Sequence, residues 1–185
     1  MSLNMVLIRP IAKEDEPVIA AIIRSVLEES HLDVPGTAYF DPELDYMYDY
    51  YQKLTDNAYW VVEEQGRLVG GVGIGLLDES LELPIKGHPE LLAEKATKIG
   101  KVGELQKLYL LPEARGKGYS RRLMDTVTAF AIDQGYDFLY LETIKSLETA
   151  IVLYKKLGYE FLDEPLLSGD HTFMDTFMLK DLNAG

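Results

Sequence analysis

L-Y-L-L-P-E-A-R-G-K-G-Y-S-R-R-L-M, Leu108 to Met124, runs from an apolar stretch through a basic, glycine-punctuated turn into an amphipathic segment. The apolar stretch starts at Glu104 and reads as a strand that ends at Leu111, ahead of Pro112. After the turn, Tyr119, Leu123, Val127, Phe130 and Ala131 recur on one helical face until Gly135 stops the pattern. The order is strand, tight turn, helix. Arg115, Lys117, Arg121 and Arg122 crowd into that turn, although the chain carries 31 Asp and Glu against 18 Lys and Arg, a net charge of -13. A helix N-terminus already presents free N–H groups and the positive end of its dipole, so it repels cations and attracts anions. A phosphate held there resolves the conflict. Gly116 and Gly118 let the backbone approach it and take positive φ where needed. Solvated side chains are the plainer alternative. The known nucleotide loops do not fit: G-x-x-x-x-G-K-[S/T] is absent, and Arg121 stands where a G-x-G-x-x-G fingerprint needs its third glycine.

Outward from this stretch, Val6 to Ile11 reads as a first strand, and Lys13 to Glu29 carries a helical stripe of Val18, Ile19, Ile22, Ile23, Val26 and Leu27. Ser30 to Phe40 reads as a loop. Asp41-Pro42 fits a helix start, with Leu44, Met47, Tyr48, Tyr51 and Leu54 at helical spacing. Tyr59 to Glu64 and Leu68 to Leu77, joined by Gln65-Gly66-Arg67, form a predicted hairpin. Asp78 to Lys101 is a long connection, with a short helix expected around Glu90 to Lys95. On the other side, Phe138 to Thr143 is a strand, Ser146 to Leu157 a helix capped by Gly158, and Tyr159 to Leu162 and Phe173 to Leu179 are closing strands. The element order β-α-α-β-β-β-α-β-α-β-β predicts an α/β fold: one domain over residues 5–182, with a mixed, mostly antiparallel sheet flanked by helices.

Bulk composition narrows the function classes. A 47% hydrophobic chain of 185 residues can build an ordinary core. No apolar run is long enough to span a bilayer, and the N-terminus lacks a secretory pattern, so no membrane partner is expected. The absence of cysteine excludes disulfides, thiolate metal sites and a cysteine nucleophile, and fits a cytoplasmic location. The acidic balance argues against nucleic acid as a partner. His31, His88 and His171 lack metal-ligand spacing, so no metal is expected.

The turn and its flanks resemble motif A of the GCN5-related N-acetyltransferase (GNAT) superfamily, a hydrophobic strand followed by [Q/R]-x-x-G-x-[G/A]. Here it reads Arg115-Gly116-Lys117-Gly118-Tyr119-Ser120, with Ser120 where Gly or Ala is usual. A-I-V-L-Y-K-K-L-G-Y-E-F, Ala150 to Phe161, resembles the same family's later helix and strand, with Tyr154 at the tyrosine position and Tyr159 at the final aromatic. Leu147 lies near the place of an asparagine that contacts pantetheine in the family. The motif-bearing match runs from Leu105 to Phe161.

The resemblance implies a GNAT-like acyl-CoA acyltransferase fold and an acetyl-CoA-dependent N-acetyltransferase. Its acceptor would be an amine: a small metabolite, a peptide terminus or a lysine. The pyrophosphate would lie on amides from Arg115 through Gly116, Lys117, Gly118, Tyr119 and Ser120 to Arg121. Pantetheine would run along Leu108, Tyr109 and Leu110 as an added strand, and an N–H near Leu110 would polarise the thioester carbonyl. A tyrosine can protonate the departing thiolate, which makes Tyr154 the candidate acid; a plain core role is the alternative. Glu104 is the candidate base and Glu142 a weaker one. Without cysteine, transfer is expected to be direct within a ternary complex.

Two further features stay open between function and packing. The glycines of G-G-V-G-I-G, Gly70 to Gly75, read as strand positions packed beneath the acceptor or pantetheine channel. Tyr39 to Tyr51 is the most aromatic and acidic stretch, either an amine-binding wall or an amphipathic helix; the 78–101 connection reads as a lid. Two other functions are compatible with these residues: a CoA-binding sensor without turnover, and a phosphate-binding or interaction domain. A homodimer is left open as the assembly.

Overall fold

The computed structural model describes residues 5–77, 100–167 and 173–184. Seven strands form one sheet in the order β1-β2-β3-β4-β5-β7-β6: β1 Val6–Pro10, β2 Ala58–Glu64, β3 Arg67–Leu76, β4 Val102–Leu110, β5 Phe138–Thr143, β6 Glu160–Leu162 and β7 Thr176–Asp181. Among the described strands only β4 and β5 run parallel; the other pairs are antiparallel. The helices are α1 Glu16–Glu29, α2 Met47–Tyr51, α3 Tyr119–Asp133 and α4 Glu148–Lys156. The mixed, mostly antiparallel sheet flanked by helices is the architecture expected from the element order.

Two layers follow from strand alternation. On one face Trp60, Val62, Val69, Val72, Ile74, Leu105, Leu139 and Leu141 pack with α3 residues Leu123, Met124 and Val127 and with Tyr154 of α4. On the other, Tyr59, Val61 and Leu68 meet Ile19, Ile23 and Leu27 of α1 and Met47 and Tyr51 of α2. Val102, Phe138 and Tyr140 extend that second face toward Leu162 and Leu179.

The glycine-rich β3 serves packing of a specific kind. Gly71, Gly73 and Gly75 alternate along the α1–α2 face, where a Cβ would come within 2.6 Å of the Tyr59 ring at Gly71 and 2.6 Å of the Tyr51 hydroxyl at Gly73. At Gly75 it would meet the Gln106 amide at 3.0 Å. The missing side chains make a trough that Tyr59, Tyr51 and Gln106 fill. The glycines therefore position polar tips beside the central strand.

Several boundaries differ from the sequence expectations. The helix expected from Asp41 through Leu54 is a 3-10 turn, Pro42–Asp45, then the short α2. Tyr46, at φ -146°, breaks it, and Leu54 is exposed. Tyrosine and aspartate are poor helix formers, and here Asp41 and Glu43 turn inward to an ion pair instead. The segment expected as a plain loop contains a 3-10 turn at Ala38–Phe40, and α1 begins at Glu16 after another at Lys13–Asp15. β7 begins at Thr176 rather than Phe173, which is exposed. The short helix around Glu90 to Lys95, the lid, His88 and His171 lie outside the described residues; His31 is exposed just past α1.

Candidate active site

The basic turn is where the fold leaves backbone donors open. After the 3-10 turn Pro112–Ala114, Gly116 and Gly118 take φ of 72° and 80°, and Gly118 caps α3 without a side chain. The first intrahelical bond of α3 runs from the Arg122 amide to the Gly118 carbonyl. Six consecutive amides, from Gly116 to Arg121, therefore have no hydrogen-bond partner among the described residues. Among the described residues, chain neighbours aside, no atom lies within 4 Å of where a Cβ would sit on either glycine. Converging amides at a helix N-terminus fit a diphosphate.

The cations of the turn divide into two groups. Arg115 reaches Glu29 at the end of α1, Nη2 to Oε2 2.8 Å, and gives Nε to the Leu110 carbonyl at 3.2 Å. Lys117 donates to Glu64 at 2.9 Å, and the Tyr119 hydroxyl donates to the same carboxylate at 2.6 Å. These partners, Glu29 and Glu64, were not singled out from sequence, because they lie 86 and 53 residues away along the chain. The hydrogen bonds to Tyr119 and Lys117 hold Glu64 below its usual carboxylate range. The Tyr119 ring is buried, so its offering to the turn is its amide. The side chains of Arg121 and Arg122 are exposed and form no ion pair or hydrogen bond among the described residues.

From the turn, β4 leads back toward the sheet's parting. Its ladder with β5 covers only Val102↔Phe138, Gly103↔Leu139 and Glu104↔Tyr140. Beyond that point β4 stays with β3 as far as Leu110, while β5 stays with β7 as far as Thr143. The β5-facing edge of β4 from Leu105 to Leu110, which includes Leu108 and Tyr109, carries no strand among the described residues. A cavity of about 100 Å³ lies in this gap. Its lining joins both faces of the sheet: Leu27 of the α1 core on one side, Leu105, Leu141 and Tyr154 of the α3–α4 core on the other. Leu108, Tyr109, Glu142 and Leu147 also line it.

Tyr154 is buried, and its ring lies 5.9 Å from that of Tyr159. Its hydroxyl has no hydrogen-bond partner among the described residues, and Tyr154 lines the cavity. Burial pushes this phenol up to about 12, so it stays protonated at neutral pH. Burial raises Tyr109 as well.

Glu104 stands at the last rung of the β4–β5 ladder, on the α2 side. Its carboxylate accepts from Gln106 Nε2 at 2.7 Å, and Gln106 Oε1 accepts from the Tyr51 hydroxyl at 2.9 Å. Tyr51 thereby orients the amide that orients the carboxylate. Glu142 accepts from the Tyr140 hydroxyl at 2.7 Å. Glu142 lies in the cavity lining itself, whereas Glu104 stands at the apex of the gap.

Sequence reading passed over Lys107. It is buried, with its ammonium 2.6 Å from Asp41 and 3.0 Å from Glu43, and it lines the same cavity. The available signal was the polar pair Gln106-Lys107, which interrupts the alternation of E-L-Q-K-L-Y-L.

With this geometry in place, comparison with known proteins gives consistent results. The model of the Acetyltransferase (GNAT) family matches residues 25–159. The Uncharacterized N-acetyltransferase YjgM of Escherichia coli (strain K12) is 36% identical over 175 residues, 94% of this chain and 93% of that protein. Among solved structures, an acetyltransferase of the GNAT family from Staphylococcus aureus Mu50 superposes with a TM-score of 0.76 at 17% identity, over 97% of this chain and 100% of the other. The yncA structure from Salmonella typhimurium, with its cofactor acetyl-CoA, gives 0.67 at 20% identity, over 98% and 96%.

Proposed function

The chain belongs to the acetyltransferase (GNAT) family, and from that membership we propose an acetyl-CoA-dependent N-acetyltransferase that moves the acetyl group directly to an amine. The single observation that carries this reading is the parting of β4 and β5 after Glu104↔Tyr140. It opens one passage between the two faces of the sheet, with the amide cradle at one end of β4 and a carboxylate at the other.

In this reading the six amides from Gly116 to Arg121 hold the diphosphate, and Arg121 and Arg122 supply charge that no carboxylate of the described residues has taken. The free edge of β4 beside Leu108, Tyr109 and Leu110 pairs with the pantetheine arm. The thioester then sits in the gap. The amine arrives from the α1–α2 side, and Glu104, held by Gln106, takes its proton directly or through water. The freed nitrogen lone pair attacks the thioester carbonyl carbon, the tetrahedral intermediate gives its second nitrogen proton to water, the C–S bond breaks, and the thiolate takes the Tyr154 proton from the α4 side. Solvent restores that proton. Acid and base thus approach from opposite faces.

The acidic, aromatic segment around Asp41 to Tyr51 walls the entry side. No helix among the described residues is long and apolar enough to cross a membrane; a cytoplasmic location belongs to the same proposal and rests on the lack of cysteine.

Two measurements test the function. Acetyl-CoA raises the melting temperature and acetate alone does not. Free thiol then accumulates when amines are added. Binding without thiol release for any amine would point to a sensor; no melting shift would remove the cofactor site altogether.

A further inference from the structure

Lys107 occupies a place that strand alternation denies it. Glu104 and Gln106 face α2, and Leu105 faces the α3–α4 core. Regular pleating would send Lys107 into that core as well. Instead its φ is 52°, and Lys107 and Leu108 together stand opposite the single residue Val72 of β3. This bulge turns the lysine to the acceptor side and lets Leu108 and Leu110 resume packing against the α3–α4 core. A non-glycine residue in the left-handed region and a buried ammonium are both costly. A leucine in a regular strand would avoid both costs.

The ammonium has three N–H donors. Asp41 and Glu43 take two; the third has no partner among the described residues, and Lys107 lines the cavity that holds Tyr154. The side chain is 4% exposed, so bulk water is not its natural partner. Burial works against the charge, but the two carboxylates outweigh it and keep the lysine protonated.

We propose that Lys107 is a specificity-determining residue for the acceptor: it donates its remaining N–H to a carbonyl oxygen next to the reacting amine. The acceptor class is then an α-amino amide, as at a peptide N-terminus, rather than a bare alkylamine. A free carboxylate fits less well, because Lys107 with Asp41 and Glu43 carries one net negative charge. This inference rests on the acetyltransferase reading and narrows its substrate.

The test compares alaninamide, alanine and isopropylamine as acceptors at saturating acetyl-CoA, read by thiol release, with each kcat/KM referred to the unprotonated amine because an α-amine loses its proton at lower pH than an alkylamine. The expected order is alaninamide first, with isopropylamine about 10- to 100-fold lower in kcat/KM, the range for a hydrogen bond to a charged group. Lys107→Met should collapse the ratio between alaninamide and isopropylamine, and Lys107→Arg should restore part of it. Where Lys107→Met fails to fold, judged by loss of the melting shift with CoA, the triple variant Lys107→Met, Asp41→Asn, Glu43→Gln removes the charges together. The same collapse is expected there. Equal use of isopropylamine by the wild type, preference for alanine, or a ratio unchanged in the folded variant each overturns the assignment. Absence of thiol release with all three acceptors, and with a wider amine panel, overturns the enzyme reading instead.

Discussion

Glu104 and Tyr140 are the last paired residues between β4 and β5, and past them the two strands separate. The separation has a mechanical cause. β4 is bound to β3 along its whole length and carries the bulge at Lys107, which adds twist, while β5 is held by β7 through Thr143. Each half of the sheet follows its own partner. The resulting gap has a carboxylate, Glu104, at its apex and Tyr154 in its lining, and in the proposed mechanism these two residues carry proton removal and proton delivery.

Replacing Glu104 by Gln should lower kcat/KM by about 10²-fold at neutral pH, the ordinary contribution of a positioned base. The deficit should shrink as pH rises past about 8, where an α-amine loses its proton unaided. Acetyl-CoA affinity should stay near wild type. Gln106→Leu should produce a smaller loss of the same kind, because it removes the hydrogen bond that orients Glu104 rather than the carboxylate. A full-sized pH-dependent loss in Glu142→Gln, with Glu104→Gln unaffected, would move the base to β5.

Tyr154→Phe should lower turnover by about 10²-fold with CoA affinity nearly intact. Burial holds the hydroxyl up to about 12, so the native enzyme should show no alkaline loss of rate from this group between pH 6 and about 10. The sign is that of a neutral acid: activity persists while the phenol keeps its proton and would fall only as pH approaches the raised value. Pre-steady-state thiol release against pH reads this directly. Equal turnover in the variant would return Tyr154 to the core.

Much of this was legible in the chain. The strand–turn–helix run from Leu108 to Met124 and the tyrosine at 154 carry local patterns, and both fall where periodicity and glycine punctuation place them. The hairpin was equally plain from Gln65-Gly66-Arg67. The β4–β5 gap was not, since a broken ladder leaves no trace in hydrophobic spacing. Nor were the Glu29–Arg115 and Glu64–Lys117 pairs, formed between residues distant in sequence. Lys107 was missed for a different reason: its bulge converts a core-facing position into an acceptor-facing one, and period-2 reading assumes a regular pleat. The short α2 escaped because Asp41 and Glu43 answer to that lysine rather than to helix propensity.

Gly118→Ala should separate strain from binding. An alanine at φ 80° costs about 1–2 kcal/mol of stability, but no atom of the described residues obstructs its Cβ. Gly66→Ala, in the β2–β3 turn at φ 79° and equally unobstructed, imposes the same strain away from the cradle. Both variants should melt at similarly lowered temperatures. Only Gly118→Ala should also weaken CoA by tenfold or more, because the amides it aligns are the proposed diphosphate donors. Equal CoA affinity in the two variants, measured by calorimetry, would remove the turn from the cofactor site.

Tyr159 offers a test of the packing beneath Tyr154. Its hydroxyl is buried and has no hydrogen-bond partner among the described residues. An unsatisfied buried hydroxyl costs about 1–3 kcal/mol of desolvation, whereas removing it leaves an aromatic ring of nearly the same shape. Tyr159→Phe should therefore be neutral or stabilising, with a melting temperature higher by about 2–4 °C for each kcal/mol recovered in a domain of this size. The ring contact with Tyr154 at 5.9 Å should survive, so turnover should change little. A marked fall in melting temperature would show that the hydroxyl is satisfied in solution, by water entering between α4 and β6, and that the tyrosine pair is a wetter element than its burial implies.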